Sequence, residues 1–100
     1  MKLTNEFESI RQWASKRGLY EKGDRKTQTV KLLEEVGELA RSILKEDYNQ
    51  FTDSIGDIVV VLTNLAELGD AKIESCINNS FKVIENRTGK MVNGTFTKDK

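Results

Sequence analysis

The stretches KLLEEVGELA at residues 31–40 and DSIGDIVVVL at residues 53–62 decide the fold of this chain. Apolar residues recur at helical spacing through the first stretch and beyond it, at Leu32, Val36, Leu39 and Ile43. They predict a helix from about Arg25 to Lys45. The second stretch predicts a helix from about Gln50 to Leu68 that is apolar around nearly its whole circumference, which indicates burial on all sides. A chain of 100 residues can hardly cover such a helix alone, so we expect a homo-oligomer, either a dimer or a tetramer.

Two further helices and a C-terminal tail are expected on either side of these two predicted helices. A helix from about Asn5 to Arg17 is expected before Gly18, followed by a loop at residues 19–24. Another helix is expected from about Ala71 to Arg87, with an extended tail or short hairpin after Gly89. The chain has no proline, which favours uninterrupted helices. The sequence therefore predicts an all-α, four-helix bundle forming one domain over residues 1–100, although the β-branched run at 58–61 leaves a strand there as an alternative.

The charge balance, the lengths of the apolar runs and the cysteine count each exclude some classes of function. Sixteen basic and sixteen acidic residues cancel, so no global field favours a nucleic-acid polymer or an anionic membrane surface as partner. No apolar run approaches the roughly 20 residues that span a bilayer, and no signal-like segment follows the first lysine. The single cysteine, Cys76, provides no disulfide framework. We expect a cytoplasmic protein.

The chain contains no histidine, which removes the usual general base and the commonest zinc ligand. Any metal must then be held by oxygen atoms, which suits Mg²⁺, Mn²⁺ or Ca²⁺. The second predicted helix carries three acids, Glu34, Glu35 and Glu38. Glu35 and Glu38 lie at the edge of its apolar stripe, whereas Glu34 points further toward solvent. Alone, such a cluster is more often a solvated charged face.

The acids of the third predicted helix favour a metal-binding site over a solvated charged surface. Asp53 and Asp57 share one face of an otherwise apolar helix with Asn64. Acids that converge on one groove repel each other unless a cation lies between them, and a divalent metal resolves that conflict. The alternative is that Lys31 or Arg87 neutralises Asp57.

Cationic and aromatic residues complete a candidate nucleotide site. The fourth predicted helix carries Lys82, Asn86 and Arg87, which suit a triphosphate beside a carboxylate-bound Mg²⁺. The alternative is that they only complement the dipole at a helix C-terminus. Trp13 or Tyr20 would stack on the base, although an aromatic at helical spacing, such as Trp13, is more often an ordinary core residue.

These stretches resemble the MazG-like all-α nucleoside triphosphate pyrophosphohydrolases, whose signature is ExxE on one helix and ExxD on the next. The spacing of Lys82, Asn86 and Arg87 resembles that family's K-x-x-x-N-R, and GKMVNG at residues 89–94 is similar to its compact phage and bacterial forms. The resemblance implies Mg²⁺-dependent cleavage between the α and β phosphates, with Mn²⁺ as a possible substitute.

It also implies roles for individual residues. Glu35, Glu38 and Asp57 would be metal ligands, Glu34 or Asp53 a base that positions water, and Lys31, Lys82 and Arg87 the cations that stabilise the phosphates. The chain departs from the pattern at Ser54, where the family has a glutamate. Asp53 is the candidate replacement ligand, although its side chain starts about 100° away around the helix.

Two other function classes stay open, namely a non-catalytic helical oligomerisation module and a phosphohydrolase acting on another nucleotide, such as an alarmone.

Overall fold

A computed structural model describes residues 3–100 of the chain and consists of helices followed by a two-stranded hairpin. Helix α1 spans Leu3–Lys16 and α2 Leu19–Lys22. Helices α3 (Arg25–Leu44) and α4 (Tyr48–Leu68) form the centre, and α5 (Ile73–Ile84) follows. Strands β1 (Gly89–Val92) and β2 (Thr95–Lys98) end the chain. The mostly helical architecture is confirmed, but the predicted loop at 19–24 contains one helical turn, which makes five helices in the described part rather than four.

Helices α3 and α4 begin at aspartate caps. Asp24 accepts a hydrogen bond from the Thr27 backbone N–H at 2.7 Å, and Asp47 accepts one from the Gln50 N–H at 3.1 Å. Each satisfies a backbone donor that a helix start otherwise leaves unpaired. Three residues connect the helices, so α4 runs back along α3 and Arg25 lies beside Gly69. The run at 58–61 is therefore helical, and the strand alternative is wrong.

The face of α3 that meets α4 differs from the predicted stripe. Glu35 and Ser42 are buried there, and Leu32 and Leu39 are partly covered. Val36 and Ile43, which were expected in the same stripe, are 44% and 59% exposed. On α4, Ser54 and Val61 are buried and Ile58 and Leu65 are partly covered, as residues on one helical face. The two helices thus enclose polar side chains together with apolar ones.

Helix α1 packs across the other side of α4. Phe7 and Ala14 are buried, and Thr63 of α4 is only 1% exposed. Gly18 has a φ of 79°, a left-handed conformation that glycine adopts without a steric penalty and that ends α1. Helix α2 then contacts both α1 and α4.

Helix α5 is attached to this body through its first turn. The Arg11 guanidinium donates to both oxygens of Glu74 at 2.7 and 2.6 Å, and Arg11 is only 8% exposed. This pair lowers the pKa of Glu74 to about 2. Beyond that turn, the apolar residues Ile77, Phe81 and Ile84 are each at least half exposed. The helix also ends at Ile84 rather than near Arg87.

The predicted C-terminal hairpin is present. Strands β1 and β2 pair antiparallel, with Met91 opposite Phe96. Asn93 and Gly94 both have positive φ, 50° and 84°, as a tight two-residue hairpin turn requires. The Phe96 ring lies across Gly89, where a side chain at that residue would collide with it.

One broad apolar surface has no cover within the chain. We define the rear face as Leu33, Val36 and Ile43 of α3 with Ile55 and Val59 of α4; these side chains are 37–66% exposed. Their helical positions place them on the side of the α3–α4 pair opposite Glu38 and Asp57. The single chain thus leaves part of the third predicted helix exposed, and its burial on every side, which was expected only with a partner subunit, stays a prediction.

Candidate active site

Glu35 is the most unusual residue at the centre of the molecule. It lies on the α3 face that meets α4 and is only 7% exposed. Lys31, one helical turn earlier, approaches Glu35 Oε1 with its Nζ at 3.6 Å. Glu35 Oε2 is sealed from solvent and has no hydrogen-bond partner. A buried carboxylate oxygen without a donor costs free energy unless another positive group reaches it.

The electrostatics of Glu35 point the same way. Burial raises the pKa of Glu35, repulsion from Glu38 and from Asp57 raises it further, and only Lys31 opposes the shift. The ionised form is therefore disfavoured in the chain by itself. The alternative in which Lys31 neutralises Asp57 is not observed, because Lys31 pairs with Glu35 instead.

The other predicted acids are distributed around Glu35. Glu38 is partly exposed, whereas Glu34, Asp53 and Asp57 are exposed. Between residues 3 and 100, no three acidic or cysteine side chains approach closely enough to hold a metal ion as they stand. Glu38 and Asp57 are close enough to Glu35 to repel its charge, but the three carboxylates do not form a complete set of metal ligands.

Ser54 stands where the resemblance leads one to expect a glutamate. It is 0% exposed, and its hydroxyl accepts a hydrogen bond from Gln50 Nε2 at 2.9 Å. A neutral, satisfied group thus occupies this position. Asp53, its neighbour, is exposed and lies about 100° around α4 from Ser54, on the same side of the helix as Asp57.

The residues present nonetheless fit a divalent cation. All are oxygen donors, as Mg²⁺ prefers, and the sealed Glu35 Oε2 lacks a partner. A cation beside Glu35, Glu38 and Asp57 would remove both the desolvation penalty and the mutual repulsion that raise the pKa of Glu35.

A cavity of about 230 Å³ lies at the end of α3 beyond these acids. It is lined by Glu38, Arg41, Ser42, Lys45, Asp47 and Gln50. Arg41 and Lys45 follow Glu38 by three and seven residues, so they continue along the same side of α3. Sequence reasoning missed these two cations, although that spacing could have identified them.

At the opposite end, α1 and α4 enclose a more apolar cavity of about 370 Å³. Its lining includes Ile10 and Trp13 from α1 and Val60 from α4. Trp13 is half exposed, and Arg17 stacks over its ring with 4.2 Å between the guanidinium carbon and the ring centroid. An apolar recess of this size accommodates a planar base.

The cations of the C-terminal segment lie elsewhere. Helix α5 contacts α1 and α4, and it makes no packing contact with α3 in the described part of the chain. Lys82, Asn86 and Arg87 are exposed, and Asn86 and Arg87 lie beyond the helix end. One copy of the chain therefore does not bring these three residues to the acids of α3.

Comparison with known proteins gives two matches. A family model described as MazG nucleotide pyrophosphohydrolase domain matches residues 24–92, which include α3, α4, α5 and β1. An uncharacterised 18.2 kDa protein of Haemophilus phage HP1 is 41% identical over 61 residues, covering 61% of this chain and 37% of that protein. The chain thus spans little more than a third of this relative. No solved structure matches significantly. No helix among residues 3–100 has the length and apolar character needed to cross a membrane.

Proposed function

This chain belongs to the family of MazG nucleotide pyrophosphohydrolase domains, and we propose that it hydrolyses nucleoside or deoxynucleoside triphosphates to a monophosphate and pyrophosphate, with Mg²⁺ as cofactor. The observation that carries the proposal is the buried Glu35, whose unpartnered oxygen and raised pKa favour a bound cation. A solvated charged face, as in a non-catalytic helical module, would leave each carboxylate hydrated and its pKa unperturbed.

Glu35, Glu38 and Asp57 would hold the ion, with Asp53 as a further ligand. Bound Mg²⁺ supplies Lewis acidity toward a phosphoryl oxygen and lowers the pKa of a water ligand. Glu34 lies on the solvent side of Glu35 and is exposed, so it is free to accept a proton from the attacking water.

The two cavities orient the substrate along the α3–α4 pair. The base occupies the recess beside Trp13, and the α phosphate lies at Glu35, Glu38 and Asp57. The outer phosphates then extend toward Arg41 and Lys45, which line the cavity that also contains Glu38. Cations at the leaving pyrophosphate stabilise the charge that develops there during phosphoryl transfer. Lys31 would be drawn from Glu35 toward the substrate once a metal ion neutralises that carboxylate.

The exposed apolar surfaces support a homo-oligomer. The rear face would be buried against a second copy, because a patch of this kind on an isolated monomer favours association. The outer half of α5, with Ile77 and Phe81, also needs cover. A second copy would in addition be the source of Lys82, Asn86 and Arg87 at the phosphates, since one chain leaves them away from α3.

The first prediction is the position of cleavage. Digestion of a panel of nucleoside triphosphates with Mg²⁺ is expected to release monophosphate and pyrophosphate in equal amounts, because the acids lie between the base recess and the cations. Anion-exchange chromatography of the products provides the measurement. Diphosphate with orthophosphate would reject the assignment, and turnover of an alarmone alone would favour the rival substrate class. Absence of both Mg²⁺ binding and turnover would favour the non-catalytic module.

The second prediction tests whether Arg87 acts in a neighbouring copy. Glu35→Gln and Arg87→Ala should each impair turnover, the latter by roughly 1.5–3 kcal/mol for a lost charged hydrogen bond. Mixing and reassociating the two impaired variants should raise activity above that of either variant alone, because a mixed oligomer contains sites with an intact Glu35 from one copy and an intact Arg87 from another. As a control, mixing Glu35→Gln with Glu38→Gln should recover none, since both residues belong to the same helix. If neither mixture recovers activity although each single variant is impaired, Arg87 does not act in a neighbouring copy.

A further inference from the structure

Asn64 is a buried polar residue for which the proposed chemistry has no role. It is 3% exposed and lies on α4, on the side that also carries Asp57. Its Oδ1 accepts a hydrogen bond from the Tyr20 hydroxyl of α2 at 2.7 Å. Buried side-chain amides usually satisfy both their donor and acceptor groups, so the state of the amide nitrogen is informative.

The amide nitrogen of Asn64 donates to no described residue. The only sealed side-chain atom without a partner in that part of the chain is Glu35 Oε2, so the Asn64 nitrogen retains contact with solvent. Tyr20 thereby determines the orientation of the amide, because a hydroxyl donor holds the carbonyl oxygen and leaves the NH₂ group directed elsewhere. The result is a pre-oriented hydrogen-bond donor at the edge of an otherwise buried position.

Along α4, this donor lies in the same direction from Asp57 as Val60 and the apolar recess beside Trp13. Asn64 lies one helical turn beyond Val60, which lines the apolar recess with Trp13. It is seven residues from Asp57, about 10 Å along the helix axis, which is comparable with the distance from an α phosphate to its base.

We propose that Asn64, held by Tyr20, donates a hydrogen bond to a carbonyl oxygen of the substrate's base, and so favours nucleotides whose base carries that oxygen over adenine nucleotides. The inference rests on the proposed function for the identity of the ligand as a nucleotide. Reading adenine with an asparagine amide uses the carbonyl oxygen and the NH₂ group together. Here Tyr20 holds the carbonyl oxygen, and an adenine amino group would confront the Asn64 NH₂ with a second donor.

Tyr20 is a positioning residue in this scheme and does not touch the substrate. It lies in α2, outside the residues that the family model matches, whereas Asn64 lies inside them. Burial raises the pKa of the Tyr20 hydroxyl, so Tyr20 remains a donor across the neutral range.

The test compares two purines of nearly equal shape. The α,β-methylene analogues of dITP and dATP differ at C6, which carries an oxygen in the first and an amino group in the second, and neither can be cleaved between the α and β phosphates. Calorimetric titration with Mg²⁺ should show the hypoxanthine analogue binding about tenfold more tightly, the scale of one buried hydrogen bond and one avoided unpaired donor.

Two variants test whether Asn64 and Tyr20 cause the preference for the hypoxanthine analogue. Asn64→Leu should bring the ratio of the two dissociation constants close to one, and Tyr20→Phe should reduce it while the melting temperature shows that the fold is kept. Tyr20→Phe removes a single oxygen, so it keeps the test decisive if Asn64→Leu does not fold. Tyr48→Phe, at a tyrosine that is 73% exposed, is the matched control and should preserve the ratio.

The outcomes separate this inference from the proposed function. The inference is overturned if the wild type binds the two analogues with a ratio of dissociation constants near one, or if it binds neither. It is also overturned if Asn64→Leu leaves that ratio unchanged. Preferential binding of the hypoxanthine analogue together with failure to hydrolyse dITP and dATP rejects the proposed activity alone. Hydrolysis of both at equal kcat/KM rejects the inference alone.

Discussion

Glu35→Gln is expected to lower the rate of pyrophosphate release by roughly a hundred- to a thousandfold, the effect of removing one essential electrostatic contributor to phosphoryl transfer. Glu35 is the acid on which the metal proposal depends, because its second oxygen is buried and unpartnered. Glutamine has the same shape and lacks the charge, so the packing between α3 and α4 should be retained. Mg²⁺ affinity should fall together with turnover.

The same substitution should stabilise the metal-free protein. At neutral pH the ionised Glu35 is buried and repelled by Glu38 and Asp57. Removing that charge should raise the melting temperature by several degrees, since about 1 kcal/mol corresponds to roughly 4–8 °C in a domain of this size. Loss of activity with a gain in stability would distinguish a metal ligand from a residue that merely supports the fold.

The stability of the metal-free wild type should also depend on pH in two opposite ways. Because the folded-state pKa of Glu35 is raised, the folded protein binds more protons than the unfolded chain, and stability should increase as pH falls through that raised pKa toward the ordinary value of 4.5. The pKa of Glu74 is lowered to about 2, so its stabilising pair with Arg11 should be lost as pH falls from 4.5 toward 2.

Both effects can be measured by thermal unfolding, followed by circular dichroism between pH 3 and 8 with and without Mg²⁺. The wild type, Glu35→Gln and Glu21→Gln would be compared. Glu21 is exposed on α2, so its variant is the matched control and should follow the wild type. Glu35→Gln should lose the rise in stability below neutral pH and keep the fall below pH 4.5. Full activity in Glu35→Gln would exclude it as a ligand.

Val59→Glu should dissociate the oligomer, and the released chains should unfold or aggregate. Val59 is 37% exposed in the single chain and lies beside Ile55 on the rear face. If a second copy covers that face, a glutamate there becomes an unpaired buried charge, which costs several kcal/mol. A small domain has a total stability of only about 5–15 kcal/mol, so the loss is large.

Sedimentation velocity at micromolar concentration would measure this result. Asn49→Glu adds the same charge to the first turn of the same helix at an exposed site, so it should leave the assembly intact. A wild-type chain that sediments as a stable monomer would contradict the proposed oligomer. A Val59→Glu chain with the wild-type sedimentation coefficient would show that the rear face is not the interface.

Much of this architecture is determined locally. Asp24 and Asp47 cap α3 and α4 through contacts within three residues, and Gly18 and the Asn93–Gly94 pair terminate or reverse the chain through their own backbone conformations. Such features depend on short-range sterics and hydrogen bonds, so the sequence predicted the helices to within a few residues. The spacing of Glu35, Glu38 and Asp57 likewise determined that these acids share one side of two successive helices.

The tertiary structure decided which side chains are enclosed. Periodicity placed Glu35 at the edge of an apolar stripe, yet packing against α4 buries it and leaves Val36 exposed. Hydrophobicity alone cannot assign a glutamate to a buried face, because burying a carboxylate carries a desolvation cost that counts against such an assignment. The contact between Tyr20 and Asn64 joins residues 44 positions apart, and the separation of α5 from α3 follows from how the first turn of α5 is anchored. Long-range contacts of this kind depend on the relative placement of whole helices, which local spacing does not determine.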